Sequence, residues 1–419
     1  MNLTAATGKP EARIDSRVMA VIGMIGLAMT AYVLGAELFD GGKTKDYPLW
    51  YDFANRIMAG EPLYDSGRYL YPPTMVVLLA PFSFLTPALF YAFLIVLSVG
   101  ALYLCVLWSM RLSAGDKPLP WQLALVPIIM MLPQIFENFD LGQPHIILLA
   151  IMLAGFGFMR EGKPLAAGAM FGLAAALKVF PISILPYLIW RRYWKAAGSM
   201  VAALMIILVV LPSPIRGYER NLNELSQWFV AMAGDEDGFG QREQQNWSWK
   251  NQSVVAITHR LVRDIDYKKG REGEGDAKMN ITSVDYRTAN YILLGVIAVI
   301  GLMFIAILLP RGRLDQKRLA EEWGILLCLM TIASPLSRTY YFIWLLFPLF
   351  VLVQRSWDSD SELTKKWIRL GLIAVFVFTL LQLINELQAF GVNTLAAVLV
   401  MGMLAWIMRT SPPTPRGKA

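Results

Sequence analysis

Residues 18–38 read VMAVIGMIGLAMTAYVLGAEL, an apolar run interrupted only by Glu37 near its end. Its length matches the ~20 residues a helix needs to cross ~30 Å of hydrocarbon. A polar start carrying Lys9, Arg13 and Arg17 precedes it, and no small-residue cleavage site follows, so it reads as an anchor rather than a removed signal peptide. Outward from there the pattern recurs near 88–110, 120–137, 143–160, 164–179, 181–191, 196–213, 288–309, 321–335, 339–354, 367–388 and 393–409. Together these predict about twelve spans. The runs 164–179 and 181–191 are short, and each needs tilt, thinning or shielding by neighbours to cross alone.

Composition agrees with this reading. Of 419 residues, 56% are hydrophobic and 16% charged, against roughly 25% charged in soluble domains. So apolar a chain cannot cover a soluble surface. Cys105 and Cys328 fall inside apolar runs, so no disulfide framework is implied. The net charge of +7 follows from membrane topology rather than a nucleic-acid partner. Arg111, Lys117, Arg160, Lys163, Arg191, Arg192, Lys195, Arg311, Arg313, Lys317, Arg318 and Arg355 all fall in connections that stay cytoplasmic if the N-terminus does.

The expectation is an all-α polytopic protein of the cell (plasma or inner) membrane. It has a cytoplasmic tail at 1–17, a transmembrane domain over 18–409 with outer loops at 39–87 and 214–287, and a cytoplasmic tail at 410–419. One stretch, PPTMVVLLAPFSFL (72–85), is too short to cross, and Pro81 interrupts it. It is expected as a re-entrant or interfacial helix, set against protein or a wet cavity.

With two histidines, two buried cysteines, no G-x-x-x-x-G-K-[ST] and no G-x-S-x-G, the catalytic repertoire is narrow. Carboxylates, guanidinium groups and tyrosines near the outer face remain. Asp40, Asp46 and Asp52 share the first outer loop. A carboxylate there can act as a general base; solvated acids or helix N-caps are the alternatives. Asp52 also stands four residues before Arg56, the spacing of a helical ion pair. Spacing alone does not choose among the three. The pairs Asp235/Asp237, Asp264/Asp266 and Asp358/Asp360 match a bare D-x-D, but they lie in a charged loop or on the cytoplasmic side. No metal site and no cofactor is expected from them.

The stretch DYPLWYDFANRIMAGEPLYD (46–65), followed by Tyr71-Pro72-Pro73, resembles the first outer loop of glycosyltransferase family 87. Further signatures recur in the family's order: Gly142-Gln143-Pro144-His145, then GLAAALKVFP (172–181) leading to Trp190-Arg191-Arg192, then Asn251-Gln252-Ser253, and last SPLSRTYY (334–341). The resemblance implies a GT-C-like membrane bundle with interfacial helices on the outer face. It implies transfer of a hexose, mannose in the first instance, from a polyprenyl phosphate donor to a hydroxyl of a glycolipid or glycan acceptor. Transfer would occur on the extracytoplasmic side, with inversion and without a metal. The family's first-loop aspartate, the base, falls on Asp46. Relatives often carry a histidine late in the Ser-Pro-x-Ser motif, where this chain has Tyr340 and Tyr341, so a histidine role is not carried over.

Lys178 stands at the junction of two short runs. A membrane lysine is costly, and its ammonium suits a donor phosphate; snorkelling to the headgroups is the alternative. Arg338 sits in a short outer connection, where its fork suits a phosphate or an interfacial anchor. Gln143 and His145 are expected to contact substrate or cap the next helix. Asn251 and Gln252 are expected to contact substrate beside Trp247 and Trp249, or to mark a helix start, and Asp52, Tyr64, Tyr340 and Tyr341 complete the substrate-binding candidates. His259 is expected at the surface. Two other classes fit the composition. A secondary transporter or lipid-linked sugar flippase should show a repeated half, which is not visible. A structural subunit should tolerate loss of the first-loop aspartates.

Overall fold

A computed structural model describes residues 14–40, 46–65, 69–233, 246–273, 275–308 and 315–410. The chain begins with helices α1 (Ser16–Asp40), α2 (Tyr47–Met58), α3 (Pro73–Leu79), α4 (Pro87–Ser113), α5 (Trp121–Met130) and α6 (Leu132–Leu141). Next come α7 (His145–Arg160), α8 (Pro164–Leu177), α9 (Ile184–Trp190), α10 (Trp194–Met205), α11 (Ser213–Arg216) and α12 (Tyr218–Ala233). The remainder forms α13 (Val254–Val262), α14 (Tyr286–Leu308), α15 (Gln316–Ala333), α16 (Leu346–Asp358), α17 (Glu362–Leu381), α18 (Asn385–Ala389) and α19 (Val392–Thr410). Among the described residues the strands are one two-residue antiparallel pair, Ile265–Asp266 with Arg271–Glu272. The protein is an all-α, multi-pass membrane protein.

Every apolar run of the sequence is helical, but the spans divide unequally. Six described helices are long and apolar enough to cross a membrane: Ser16–Ala36, Pro87–Ser113, Trp194–Arg216, Tyr286–Leu308, Thr339–Asp358 and Val392–Thr410. The broken pair α5 and α6 raises the number to seven. The expected figure of about twelve is therefore not reached on length and composition. The shortfall has physical causes. Helices α7 and α8 are 16 and 14 residues long. Helices α15 and α17 open with charged turns, Lys317 to Glu322 and Glu362 to Arg369. The stretch 72–85 does form a short helix, α3, which tightens to a 3-10 turn over Ala80–Phe82 at Pro81.

The chain forms two compact units. One holds the described residues of Met1–Trp108 and Ile135–Gly240, the other those of Ser109–Gln134 and Gln241–Ala419. In the first unit, α8 packs on α10 through glycines. A Cβ on Gly168 would lie 2.2 Å from the carbonyl oxygen of Ala196, and one on Gly172 2.7 Å from that of Met200. Spaced small residues of this kind let two helix backbones touch. Helix α10 runs into a π-helical segment, Ile206–Val210, whose loosened carbonyls are met by side chains. Thr74 Oγ1 donates to Ile207 O at 3.1 Å, and Asn221 Nδ2 donates to Leu208 O and Val209 O at 3.0 and 3.1 Å. In this way α3 and α12 are fastened to α10.

In the second unit α15, α16, α17 and α19 pack together, and residues 339–356 are all buried. Two buried charges are matched there: Arg355 Nε donates to Glu321 Oε1 at 2.7 Å. The buried Arg260 instead donates to carbonyls, those of Ala389, Ser248 and Asn251 at 2.6 to 3.1 Å and that of Trp247 at 3.5 Å. Desolvation of that guanidinium lowers its pKa to about 9.

Candidate active site

Asp46 stands at the N-cap of α2, yet its side chain does not cap the helix. The start of α2 is held by the turn between α6 and α7 instead. Asp46 N–H donates to Leu141 O at 3.2 Å, Tyr47 Oη to Phe139 O at 2.7 Å, and Trp50 Nε1 to Gly142 O at 2.9 Å. Gly142 turns this corner with φ +68°, and a Cβ there would lie 3.0 Å from the Tyr47 ring. A left-handed backbone pressed against an aromatic face admits glycine alone at no cost.

That corner delivers the next residue, Gln143, to the aspartate. Gln143 Nε2 donates to Asp46 Oδ2. Its carbonyl Oε1 accepts from Tyr71 Oη at 2.9 Å, and the same phenol oxygen accepts from Lys178 Nζ at 3.1 Å. The Lys178 ammonium also lies 2.8 Å from Nε2 of His145 and 4.8 Å from the centre of the Tyr71 ring. Lys178 can reach inward because α8 stops at Leu177 and residue 178 is extended, φ −152° and ψ 126°. The sequence Lys-Val-Phe-Pro explains the stop, since Pro181 cannot continue the hydrogen-bond ladder. The Lys178 ammonium is thus turned onto Tyr71 and His145. His145, fully buried at the first turn of α7, stacks on Phe180 with centroids 5.5 Å apart.

The first unit thus unites Asp46, Gln143, His145 and Lys178. It adds Tyr71, which sequence reasoning did not single out: Tyr71-Pro-Pro was visible as a pattern, but nothing in its spacing points to residues 143 and 178. Tyr64 lies one step behind, its Oη donating to Tyr71 O at 2.7 Å. Burial holds the Tyr64 phenol far above its usual pKa, so it remains a donor. Asp52 is not part of this group. Its side chain is 47% exposed and pairs with Arg56 at 3.4 Å, beside Asp65 at 3.1 Å from the same guanidinium. The side chain of Asp40 lies outside the described residues.

The second unit gathers the later motifs. Asn251 Nδ2 donates to Asn246 O and Pro335 O at 3.0 and 2.9 Å, and its Oδ1 accepts from the N–H groups of Ser253 and Ser337 at 3.1 and 2.9 Å. Gln252 Oε1 accepts from Asn393 N–H at 3.0 Å, and Gln252 N–H donates to Ser337 O at 2.8 Å. Both side chains are buried; that of Asn251 binds the Ser-Pro-x-Ser turn from within, while Gln252 reaches that turn through its backbone N–H. Ser253 caps α13 by accepting from Ala256 N–H at 3.1 Å. Arg338 leads into the 3-10 helix Thr339–Leu345, and its Nε is buried without a hydrogen-bond partner. Tyr340 and Tyr341 are each 4% exposed, with centroids 5.2 Å apart.

One expectation is corrected here. His259 is not a surface residue: it is fully buried, stacked on Trp247 at 4.4 Å and facing Tyr286 at 5.7 Å. Trp247 is itself buried, with the Arg263 guanidinium 5.2 Å from its ring centre. A small apolar core built from Trp247, Val255, Ile265 and Leu293 explains both.

The D-x-D pairs serve local structure. Asp264 pairs with Lys278 at 2.6 Å, Asp266 accepts from the N–H groups of Lys268 and Lys269, and Asp358 from those of Asp116 and Lys117. Asp235 and Asp237 lie outside the described residues. Among the described residues no three His, Cys, Asp or Glu side chains converge as metal ligands.

Known proteins place this arrangement in a family. The profile of glycosyltransferase family 87 matches residues 69–335, more than half of the chain. The match includes Tyr71, Gln143, His145 and Lys178, starts after Asp46 and stops before Arg338. The chain is 29% identical over 171 residues to a polyprenol-phosphate-mannose-dependent alpha-(1-2)-phosphatidylinositol mannoside mannosyltransferase of Mycobacterium tuberculosis, covering 35% of this chain and 40% of that one. It is 27% identical over 175 residues to the protein of the same description from Mycolicibacterium smegmatis, covering 35% and 39%. The alignment thus spans about two fifths of the length of these curated relatives. A profile match over this much of the chain settles the family: the protein belongs to glycosyltransferase family 87.

Proposed function

We propose that the protein is a GT-C-like membrane mannosyltransferase that takes its sugar from a polyprenyl phosphate donor at the extracytoplasmic face, with both termini cytoplasmic. The relatives' printed dependence on polyprenol-phosphate-mannose supports that donor class. A glycolipid or glycan hydroxyl is the acceptor. The acceptor oxygen attacks the anomeric carbon from the face opposite the phosphate, forming the new glycosidic bond as the C–O bond to phosphate breaks. The bonding pair leaves on polyprenyl phosphate, the acceptor proton passes to Asp46, and configuration inverts. Lys178 neutralises the phosphate charge on the first unit. By the sequence resemblance alone, Arg338 is proposed as a phosphate-binding residue and Tyr340 and Tyr341 as substrate-binding residues. Cationic side chains suffice for a monophosphate leaving group, so no metal is needed. Positioning and fixed charge supply most of the rate.

The observation that carries this reading is the Asp46 side chain, which leaves its own helix uncapped and joins a hydrogen-bonded chain ending at Lys178. The test incubates purified protein with polyprenyl phosphate mannose and a mannolipid acceptor, and follows polyprenyl phosphate release. Asp46→Asn should abolish release with the melting temperature unchanged. Turnover near that of the parent protein would overturn the reading.

A further inference from the structure

We infer that Tyr71 is a positioning residue: it lets the Lys178 ammonium fix which end of the Gln143 amide faces Asp46. The inference rests on the assignment of Asp46 as base and goes beyond it. An ammonium has donors only, so Lys178 must donate to the Tyr71 oxygen. The single phenol proton is then directed to the Gln143 carbonyl at 2.9 Å. That leaves the Gln143 NH2 group facing the Asp46 carboxylate, which when ionised can only accept. Every link donates in the same direction, from cation to anion. Flipping the amide would set two acceptor oxygens against each other at Asp46, and two donors, the amide NH2 and the phenol O–H, against each other at Tyr71. The Tyr71 ring is fixed independently by the edge of Trp50, centroids 4.7 Å apart, and Trp50 is itself bonded to the Gly142 carbonyl.

This polarity matters for the base. A donor to the charged form of a carboxylate favours that form, and losing it disfavours ionisation. Without the Tyr71 hydroxyl the Gln143 amide is free to rotate, and Asp46 loses a held donor. The base is then protonated at higher pH and less well aimed at the acceptor hydroxyl. Donor binding at Lys178 is affected far less, because the ammonium keeps His145 and the face of the ring.

The experiment compares Tyr71→Phe, Gln143→Met and the double variant in purified full-length protein, by kcat, donor KM and the pH dependence of kcat. Tyr71→Phe should lower kcat by roughly tenfold, with donor KM changed less than threefold. The acid limb of the kcat profile should move to higher pH by roughly half a unit to one unit. Gln143→Met should move the limb the same way, and adding Tyr71→Phe to it should produce no further shift, because both act through one hydrogen bond. An unshifted limb in Tyr71→Phe, or additive shifts in the double variant, would overturn the inference. If Tyr71→Phe cannot be purified folded, an unshifted limb in Gln143→Met overturns it equally. Asp46→Asn separates the two levels. Activity in that variant removes the base itself, whereas an inactive Asp46→Asn beside an unshifted Tyr71→Phe removes only the role of Tyr71.

Discussion

Gly142 holds φ +68° beneath the ring of Tyr47, 3.0 Å from where a Cβ would stand. The relationship ties a backbone conformation to the position of a carboxylate, since the residues flanking these two are Gln143 and Asp46. Gly142→Ala should therefore cost about 1–2 kcal/mol of stability from the left-handed backbone and the crowded ring. Its larger effect should fall on kcat, because the Gln143 amide and the first turn of α2 shift together. Melting temperature and mannosyl transfer measured side by side check this. A normal kcat in a destabilised variant would mean the corner serves folding alone.

Lys178 donates to Tyr71 and lies against His145. Lys178→Met should raise the donor KM at least tenfold and lower kcat, by loss of a point charge at the leaving group. Lys178→Arg should rescue little, because a planar fork does not fit the three-donor geometry that meets both Tyr71 and His145. Polyprenyl phosphate, added as a competitive product, should lose inhibition in parallel. Donor kinetics and product inhibition with the two variants give the readout.

How much of this was readable beforehand depends on the range of each interaction. The apolar runs were legible because hydrophobic length is a local property. So was the Asp52–Arg56 pair, one helical turn apart. The inward turn at Lys178 was half legible: Pro181 announces the break, but not the side to which the lysine points. The bond from Gln143 to Asp46 spans 97 positions, and a side-chain amide leaves no periodic trace. His259 was misread because a polar residue in a charged loop reads as solvated. Its burial depends on Trp247, Arg263 and Tyr286, which come together only in three dimensions. The count of spans differs because α7 and α8 are short, and α15 and α17 open with charged turns, so length and composition alone do not certify them as crossings.

Gly168 and Gly172 face the backbone of α10 with no room for a side chain. Gly172→Leu should separate α8 from α10 and move Lys178 at the far end of α8. The expectation is a loss of more than about 2 kcal/mol, in the range of overpacked cores, together with loss of activity. Gly198, with open space around its Cβ position, is the internal control. Gly198→Ala on α10 should be neutral or slightly stabilising, because alanine favours the helix. Thermal unfolding of the two variants in detergent decides the matter.

His259 carries the clearest pH signature outside the spans. Its ordinary pKa is about 6.5; burial first, and the Arg263 charge second, bring it down to about 4. Between those two values the unfolded chain binds a proton that the folded chain refuses. Stability from this group is therefore fully present above about pH 6.5, falls as the pH drops toward 4, and falls no further below that. The loss is of the order of 3 kcal/mol at most. His259→Phe keeps a ring for Trp247 to stack on and removes the titrating nitrogen. Its melting temperature should stay flatter between pH 6.5 and 4 than that of the parent protein, while both converge at neutral pH. If the two curves run parallel through that interval, protonation at His259 is not what unfastens the Trp247 core.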